Sequence, residues 1–595
     1  MNNSSKPRLE DLNVIVAGQG GDGSLTVVNI LADVLRTSGL RVYTERDVLS
    51  RIKGGITAAT LRAYNGERLC ISSHIDLMVA FDQAAIPKYA FRLNAKSIVI
   101  YDSSNGDLTA ESKLPEGVRL IGVPLSRYAV KNFRRDIYKN SISFAVIGRL
   151  IGLDDGQMKI AFEKRFGRRG AQALKYNLDA LNVGCTLADD AGLTIGEGLF
   201  EIVATDSKAH MLITGNEAVA FGFAVAGGRF FAGYPITPST DVMEWLVKWL
   251  PKFGGVVKQA EDELSAINMS IGAAITGTRT MTATCGPGIA LMQEGIGQLG
   301  MAEIPMVIVD AQRSGPSTGM PTKPEQSDIN FLCYGGAGDF PRVVLAPGNP
   351  EECFHLTVTA CNIAEKYQVP VFMCLDQGLS QNTATVDPID LTSVVIDRGG
   401  RLDAEQVSKL EVYKRYLHTD SGASDFAPPG TPGGMGLVTG NEHDEFGLVS
   451  TDPLNRNKMV AKRQHKMVSM KPELPLAINH GVETADIGFI GVGMCYGVIL
   501  EAIDLLGEKG IFAQYHQVRT LWPMLDDTPA FTKRCPNIFI VEYNATAQLA
   551  KLIIAHGGEE ENINNILRYD GIPMQAQDLV NSVISKLNLK EDEVA

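Results

Sequence analysis

Three stretches of this chain bring together residue types that do chemistry. Gly233-Tyr234-Pro235-Ile236-Thr237-Pro238-Ser239-Thr240 is a run of hydroxyls set between prolines. Pro238 biases Thr237 away from helix, so the threonine is presented on a stiff loop. Glu263 opens Glu263-Leu264-Ser265-Ala266-Ile267-Asn268-Met269-Ser270-Ile271-Gly272-Ala273, a carboxylate leading into a helix of small residues that another layer can approach closely. A carboxylate buried in such a setting is a candidate for proton exchange. Arg313 stands in Gln312-Arg313-Ser314-Gly315-Pro316, just past a strand ending at Asp310. A guanidinium grips a carboxylate through two parallel hydrogen bonds, so Arg313 suits an acidic substrate. Each string also has a plain structural reading. Ser239 or Thr240 could cap a helix, Glu261 and Asp262 could be solvated partners of a helix dipole, and Arg313 could be a rim charge.

Nearer the N-terminus, Gly18-Gln19-Gly20-Gly21-Asp22-Gly23 fits G-x-G-x-x-G between a strand and a helix, with Glu45 22 residues further on. Taken locally this predicts a dinucleotide site, with the glycines letting backbone N–H groups approach an anion. Gly21-Asp22-Gly23 also mimics the start of a thiamine diphosphate/magnesium motif. The stretch Arg46-Asp47-Val48-Leu49-Ser50-Arg51 lacks the asparagine such a motif needs, so no metal ligand is assigned. Arg51-Ile52-Lys53-Gly54-Gly55-Ile56-Thr57 is a basic pair on a glycine turn, at face value an exposed loop. In Asn441-Glu442-His443-Asp444-Glu445 one histidine amid acids on a loop reads as solvated and is left unassigned.

The elements that must hold these residues read as α/β. Strands Asn13–Ala17, Leu40–Thr44, Leu77–Phe81 and Ser97–Tyr101 alternate with helical stretches. A second such series runs from Phe230–Tyr234 through Thr278–Thr284 and Pro305–Asp310 to Val369–Leu375, and a third starts at Ile487–Gly493. The expected architecture is three doubly wound, mostly parallel-sheet domains: 1–200, 208–395 and 481–595. Between them 396–480 is an insert, where periodicity fades into Pro/Gly turn material and a basic run from Arg456 to Lys471. The length and the 60 glycines fit several such domains. The net charge of −13 argues against nucleic acid. No apolar run approaches a membrane span, and the N-terminus has no apolar signal core, so a cytoplasmic protein is expected. The nine cysteines form no C-x-x-C pair and no four-cysteine cluster pattern. Any iron–sulfur cluster would therefore sit on another chain.

The Tyr-Pro-Ile-Thr-Pro string and the Glu263 helix resemble the pyrimidine-binding domain of 2-oxoacid:ferredoxin oxidoreductases. The G-x-G-G-D-G turn followed by a basic-Gly-Gly loop resembles the γ domain of the same family. The resemblance covers nearly the whole chain: a γ domain (1–200) fused ahead of a thiamine diphosphate pyrimidine-binding domain (208–395), with a transketolase C-terminal-like domain last (481–595). It implies an α subunit of the 2-oxoglutarate type (2-oxoglutarate synthase). Such an enzyme works with a β subunit carrying thiamine diphosphate, Mg2+ and a [4Fe-4S] cluster, as a heterodimer or dimer of heterodimers. The implied reaction converts a 2-oxoacid and coenzyme A to acyl-CoA and CO2, with electrons passing to ferredoxin, and runs in reverse as CO2 fixation. The resemblance assigns cofactor activation to Glu263 rather than Glu261, by register to Ile271-Gly272-Ala273. It gives cofactor contacts to Tyr234, Pro235, Ile236, Gly286 and Pro287, and substrate contacts to Thr237, Arg313 and Lys53. The rival readings are a noncatalytic dinucleotide-binding or regulatory subunit using Gly18–Gly23 and Glu45, and a thiamine-dependent transferase.

Overall fold

The computed structural model describes residues 11–48, 55–66, 68–108, 114–193 and 210–588. The chain divides into two compact units, one of residues 1–213 with 382–388, the other of 214–381 with 389–595.

In the first unit the sequence Leu-Asn-Val-Ile-Val-Ala-Gly makes the strand Asp11–Gln19, buried on both faces along seven of its nine residues. Its neighbours are Leu77–Ala80, parallel, and Ile56–Tyr64, antiparallel. The sheet continues outward from Leu77–Ala80 through Ile98–Asp102 to Arg119–Val123, all parallel. On the other side it passes from Ile56–Tyr64 to Arg41–Asp47, again antiparallel, then to Thr383–Val386 and Met211–Thr214. Ile56–Tyr64 was not expected from the sequence. Its Thr-Ala-Ala-Thr-Leu-Arg-Ala run lacks a clean apolar alternation, and it enters the sheet because both of its faces are covered. Helix Ser24–Thr37 packs Val27, Val28, Leu31, Val34 and Leu35 into the core on one face of this sheet. Helix Lys139–Ile151 is buried along its whole length.

The glycine turn feeding helix Ser24–Thr37 is filled from inside. Asp22 accepts from the Gln19 N–H at 2.7 Å and from Lys139 Nζ at 2.9 Å. Gly23 has φ 89°, and a Cβ there would collide with the Asn140 side chain. The strand bearing Glu45 is separated from Asp11–Gln19 by Ile56–Tyr64. A dinucleotide fingerprint places its ribose-binding acid on the immediately neighbouring parallel strand, which this topology does not provide.

The second unit holds two sheets. One has seven strands in the order Thr520–Trp522, Val343–Leu345, Pro370–Asp376, Met306–Gln312, Thr280–Thr284, Phe230–Gly233 and Val256–Gln259. All neighbours are parallel except the first pair. The other has five, in the order Ile478–Gly481, Ala513–Gln517, Ile487–Gly491, Ile538–Glu542 and Ile563–Leu567, with only the first pair antiparallel. The C-terminal segment thus lends Thr520–Trp522 to the edge of the seven-stranded sheet, and one apolar core runs across both.

The basic run in the insert is the helix Pro453–Met470. Its cations turn inward: Lys462 and Lys466 pair with the fully buried Glu303 at 2.7 and 2.5 Å. Arg415, also buried, donates to the Glu303 carbonyl at 2.8 Å. Burial alone would raise the Glu303 carboxyl, but the two ammonium groups and Arg415 outweigh it and hold it well below the usual carboxylate range. Lys466, shut away from water beside a second ammonium, falls to about 7 despite its bond to Glu303. The expectation that His443 is solvated is overturned. It is fully buried, its ring tilted against Tyr416 with centroids 4.0 Å apart, and Nδ1 is 2.9 Å from the Asn441 carbonyl. The neighbouring acid Glu442 is turned onto Arg463 and Arg456, which leaves the ring to the core. Among the described residues no cluster of three or more His, Cys, Asp or Glu side chains is arranged to hold a metal.

Candidate active site

The candidate residues of the second unit gather where strands of the seven-stranded sheet end. After Phe230–Gly233 the chain turns through Tyr234–Ser239 into helix Thr240–Trp249. Tyr234 is exposed, while Pro235, Ile236 and Thr237 are half-buried. Ser239 does not cap that helix. Its hydroxyl turns back to the Ile236 carbonyl at 3.0 Å, fixing the loop internally. From outside, Asn216 Nδ2 donates to the Pro238 carbonyl at 2.7 Å. Asn216 sits in the first turn of helix Gly215–Val225, whose start is fixed by a reciprocal Thr214–Glu217 capping box. The loop is therefore held in shape while the Thr237 hydroxyl engages no described residue.

Arg313 reaches the same loop. Its NH1 donates to the Thr237 carbonyl at 2.7 Å, and the residue is 8% exposed. Its Nε is buried with no hydrogen-bond partner among the described residues. Two residues 76 positions apart are thus in contact, and the arginine keeps an unused donor.

Glu263 begins helix Glu263–Ile275, with Asp262 as its cap accepting from the Ser265 N–H at 2.7 Å. Glu263 is 5% exposed, whereas Glu261 is exposed and accepts only from the Ser265 hydroxyl. Across from Glu263 lie Thr284, at the end of its strand, and Gly288 in the first turn of helix Gly286–Met301. A Cβ on Gly288 would strike the Thr284 hydroxyl and stand 3.0 Å from Glu263 Cγ. The Thr284 hydroxyl is buried without a partner among the described residues. A buried carboxylate, an unpartnered hydroxyl and a glycine that leaves room between them fit a polar ring bound against this helix start. Pro287 occupies the first turn of its helix, and a Cβ on Gly286 would meet the Asp328 carboxylate at 2.6 Å.

A second carboxylate cluster lies behind. Asp310 pairs in register with Thr284 across the sheet, is fully buried, and has neither carboxylate oxygen hydrogen-bonded among the described residues. Burial, then the nearby Asp328, raises its carboxyl well above the usual range. Asp328 is itself pushed up to about 6, by burial and then by the charge of Glu325, with Arg313 opposing. Gln312 orders the region: Oε1 accepts from the Asp328 N–H at 2.9 Å while Nε2 donates to the Leu375 carbonyl at 3.2 Å. Asn216 and Asp328 escaped sequence reasoning because their contacts are tertiary. The Thr-x-x-Glu box around Asn216 was a readable signal of a helix start next to the site. Lys53 lies outside the described residues.

Comparison with known proteins agrees with this architecture. Residues 13–187 match the family model "Pyruvate ferredoxin/flavodoxin oxidoreductase", and 222–462 match "Pyruvate flavodoxin/ferredoxin oxidoreductase, thiamine diP-bdg". The chain is 30% identical to the 2-oxoacid:ferredoxin oxidoreductase subunit alpha of a Sulfolobus species, with 98% of each chain covered. It is 36% identical to the 2-oxoglutarate synthase subunit KorA of Methanothermobacter thermautotrophicus, over 56% of this chain and 87% of that one. Among solved structures, a 2-oxoglutarate:ferredoxin oxidoreductase from Magnetococcus marinus, with 2-oxoglutarate, coenzyme A and succinyl-CoA bound, superposes with TM-score 0.89. It is 34% identical, covering 97% of this chain and 100% of that one. The chain belongs to the 2-oxoacid:ferredoxin oxidoreductase family. Within that family it is an alpha subunit in which the two matched domains are fused in one polypeptide.

Proposed function

We propose that this subunit catalyses, with a partner β subunit, the coenzyme A-dependent oxidative decarboxylation of 2-oxoglutarate to succinyl-CoA. Electrons would leave singly through an iron–sulfur cluster on the partner to ferredoxin. The observation that carries this reading is the contact of Arg313 with the Thr237 loop, beside the buried Glu263. The 2-oxoglutarate and succinyl-CoA of the Magnetococcus marinus structure support the choice of substrate.

Thiamine diphosphate, when bound, would supply the nucleophilic carbon that adds to the keto group and accommodates the electrons left by decarboxylation. Glu263, with the space left by Gly288 beside it, would accept a hydrogen bond from the aminopyrimidine and shift its tautomer toward the base. Tyr234, Pro235 and Ile236 would wall the cofactor, together with Gly286 and Pro287 at a helix start. Arg313, anchored through NH1 to the Thr237 carbonyl, would hold the substrate carboxylate with its remaining N–H groups, and the Thr237 hydroxyl would donate beside it. Lys53 is proposed as a third substrate contact on the family resemblance of its basic-Gly-Gly loop. With no cluster-binding cysteine pattern and no magnesium motif in the sequence, Mg2+ and the [4Fe-4S] cluster are assigned to the β subunit. The net chemistry is reversible in principle and would then fix CO2. The filled Gly18–Gly23 turn gives the dinucleotide-binding alternative no support.

The test is to co-purify the subunit with its partner and screen 2-oxoacids with coenzyme A and a low-potential dye. Dye reduction with 2-oxoglutarate, dependent on coenzyme A and exceeding that with pyruvate, is expected. Preference for another 2-oxoacid would overturn the substrate assignment, and no 2-oxoacid-dependent reduction would overturn the reaction.

A further inference from the structure

Within the second unit a separate cavity of about 540 Å³ opens beside helix Pro453–Met470. Val460, Gln464 and Met467 line it, the i, i+4, i+7 face of that helix. Opposite stand Tyr334, Phe340 and Trp522, all aromatic. Trp522 meets Tyr334 edge-on at 5.0 Å, so the two rings brace each other. The buried charged member of the lining is Arg342, 4% exposed. Its guanidinium lies 4.0 Å from the Phe340 ring centroid, and among the described residues only the Leu332 carbonyl accepts from it, at 3.3 Å. No carboxylate of the described residues comes within ion-pair distance of it, and burial lowers it to about 10. Asp339 lines the cavity too, but from an exposed position.

A desolvated guanidinium with one weak hydrogen bond is costly to keep, since buried charges are normally paired. Here it faces space large enough for a drug-sized ligand, with flat walls around it. We propose that this cavity is a binding site for a small flat aromatic anion, its ring seated between Trp522 and Phe340 and its single anionic group on Arg342. Carboxylate and phosphate would serve that group equally well, so the chemistry shared by both defines the ligand class. Because the cavity is built from the insert helix, helix Ile329–Tyr334 and the edge strand Thr520–Trp522 of the seven-stranded sheet, its occupancy would be sensed where those elements meet.

The test uses the complete enzyme and the fluorescence of Trp522, one of three tryptophans in the chain. The probes are AMP for a phosphate and indole-3-carboxylate for a carboxylate, with adenosine and indole as uncharged matches. Saturable binding of at least one anion is expected, about tenfold or more tighter than its neutral match. Arg342→Gln should abolish that preference, and Trp522→Phe should remove the fluorescence response while equilibrium dialysis still detects binding. If Arg342→Gln fails to fold, Asp339→Asn serves instead, with the anion then binding more tightly. The proposal fails if neither anion binds at about 1 mM, if neutral and anionic probes bind alike, or if the substitutions leave anion binding unchanged. AMP alone binding identifies a phosphate site, and indole-3-carboxylate alone a carboxylate site.

Discussion

Glu263 and Glu261 are two positions apart, yet one is buried beside Thr284 and Gly288 and the other faces solvent. Glu263→Gln should abolish turnover with assembly intact, because an amide cannot serve as the anionic partner of the aminopyrimidine. Glu261→Gln should change it little. Steady-state rates of both variants decide this, and a reversal would put the activating acid at Glu261. For Arg313→Lys, the planar two-point contact and the hold on Thr237 are both weakened. Loss of a buried charge-assisted contact of about 1.5–3 kcal/mol predicts a fall of roughly ten- to hundredfold in kcat/KM for the 2-oxoacid. Thiamine diphosphate affinity should move much less, and unchanged kinetics would remove Arg313 from the site. Asp328 makes a pH prediction. Its folded carboxyl is raised to about 6, so the folded state binds its proton more tightly than the unfolded state does. Its stabilising contribution is complete below the ordinary carboxylate range, about 4, and is lost as pH rises through 6. Asp328→Asn should therefore gain thermal stability relative to the parent between about pH 5 and 7. Parallel Tm curves across that range would contradict the assignment. The candidate residues differ in how openly they stood in the sequence. Thr237, Glu263 and Arg313 were legible because prolines, a helix start and a strand end mark them locally. Asp328 matters through Asp310, Glu325 and Arg313, which only the fold brings near it.

At the scale of elements, the basic helix Pro453–Met470 was the least legible part of the chain. Six cations in the run from Arg456 to Lys471 resemble a solvated surface, and the complement that buries two of them, Glu303, lies some 160 residues earlier. Strand Ile56–Tyr64 was hidden for a related reason: its residues are unremarkable until two neighbouring strands flank it. Of the parallel strands that carry the candidate site, by contrast, Phe230–Gly233, Thr280–Thr284 and Met306–Gln312 are largely buried and were read from the sequence, whereas the exposed edge strand Val256–Gln259 ahead of Glu263 was not. The Glu303 cluster makes a sharp prediction. Glu303→Gln leaves Lys462 and Lys466 buried without an anion and should destabilise the protein by about 3–5 kcal/mol. Lys466→Met removes the cation that already yields its proton most readily, keeps the Lys462–Glu303 pair, and should cost clearly less. Thermal or denaturant melts of the two variants test the order, and equal losses would mean that the cluster does not act as argued.

At the scale of the molecule, the proposal gives this chain the hydroxyl loop, the glutamate and the arginine of the reaction and gives its metal and electron carriers to another polypeptide. The isolated chain is therefore expected to show no iron–sulfur absorbance and no 2-oxoacid turnover, both appearing on co-purification with the partner. A single purified chain with near-stoichiometric cluster absorbance would refute that division of labour. One feature of the N-terminal sheet bears on how the protein is made. Arg41–Asp47 takes as its outer neighbour the strand Thr383–Val386, and the Thr383 N–H meets the Thr44 hydroxyl across 339 positions of sequence. A ribosome adding about 5–20 residues per second needs roughly 20–70 s to cover that interval. Throughout that time the nascent sheet shows an unpaired edge, which is a template for wrong pairing. Newly made chains halted before residue 383 should accordingly be caught by chaperones or cut by protease at this edge, and chains released past residue 388 should not.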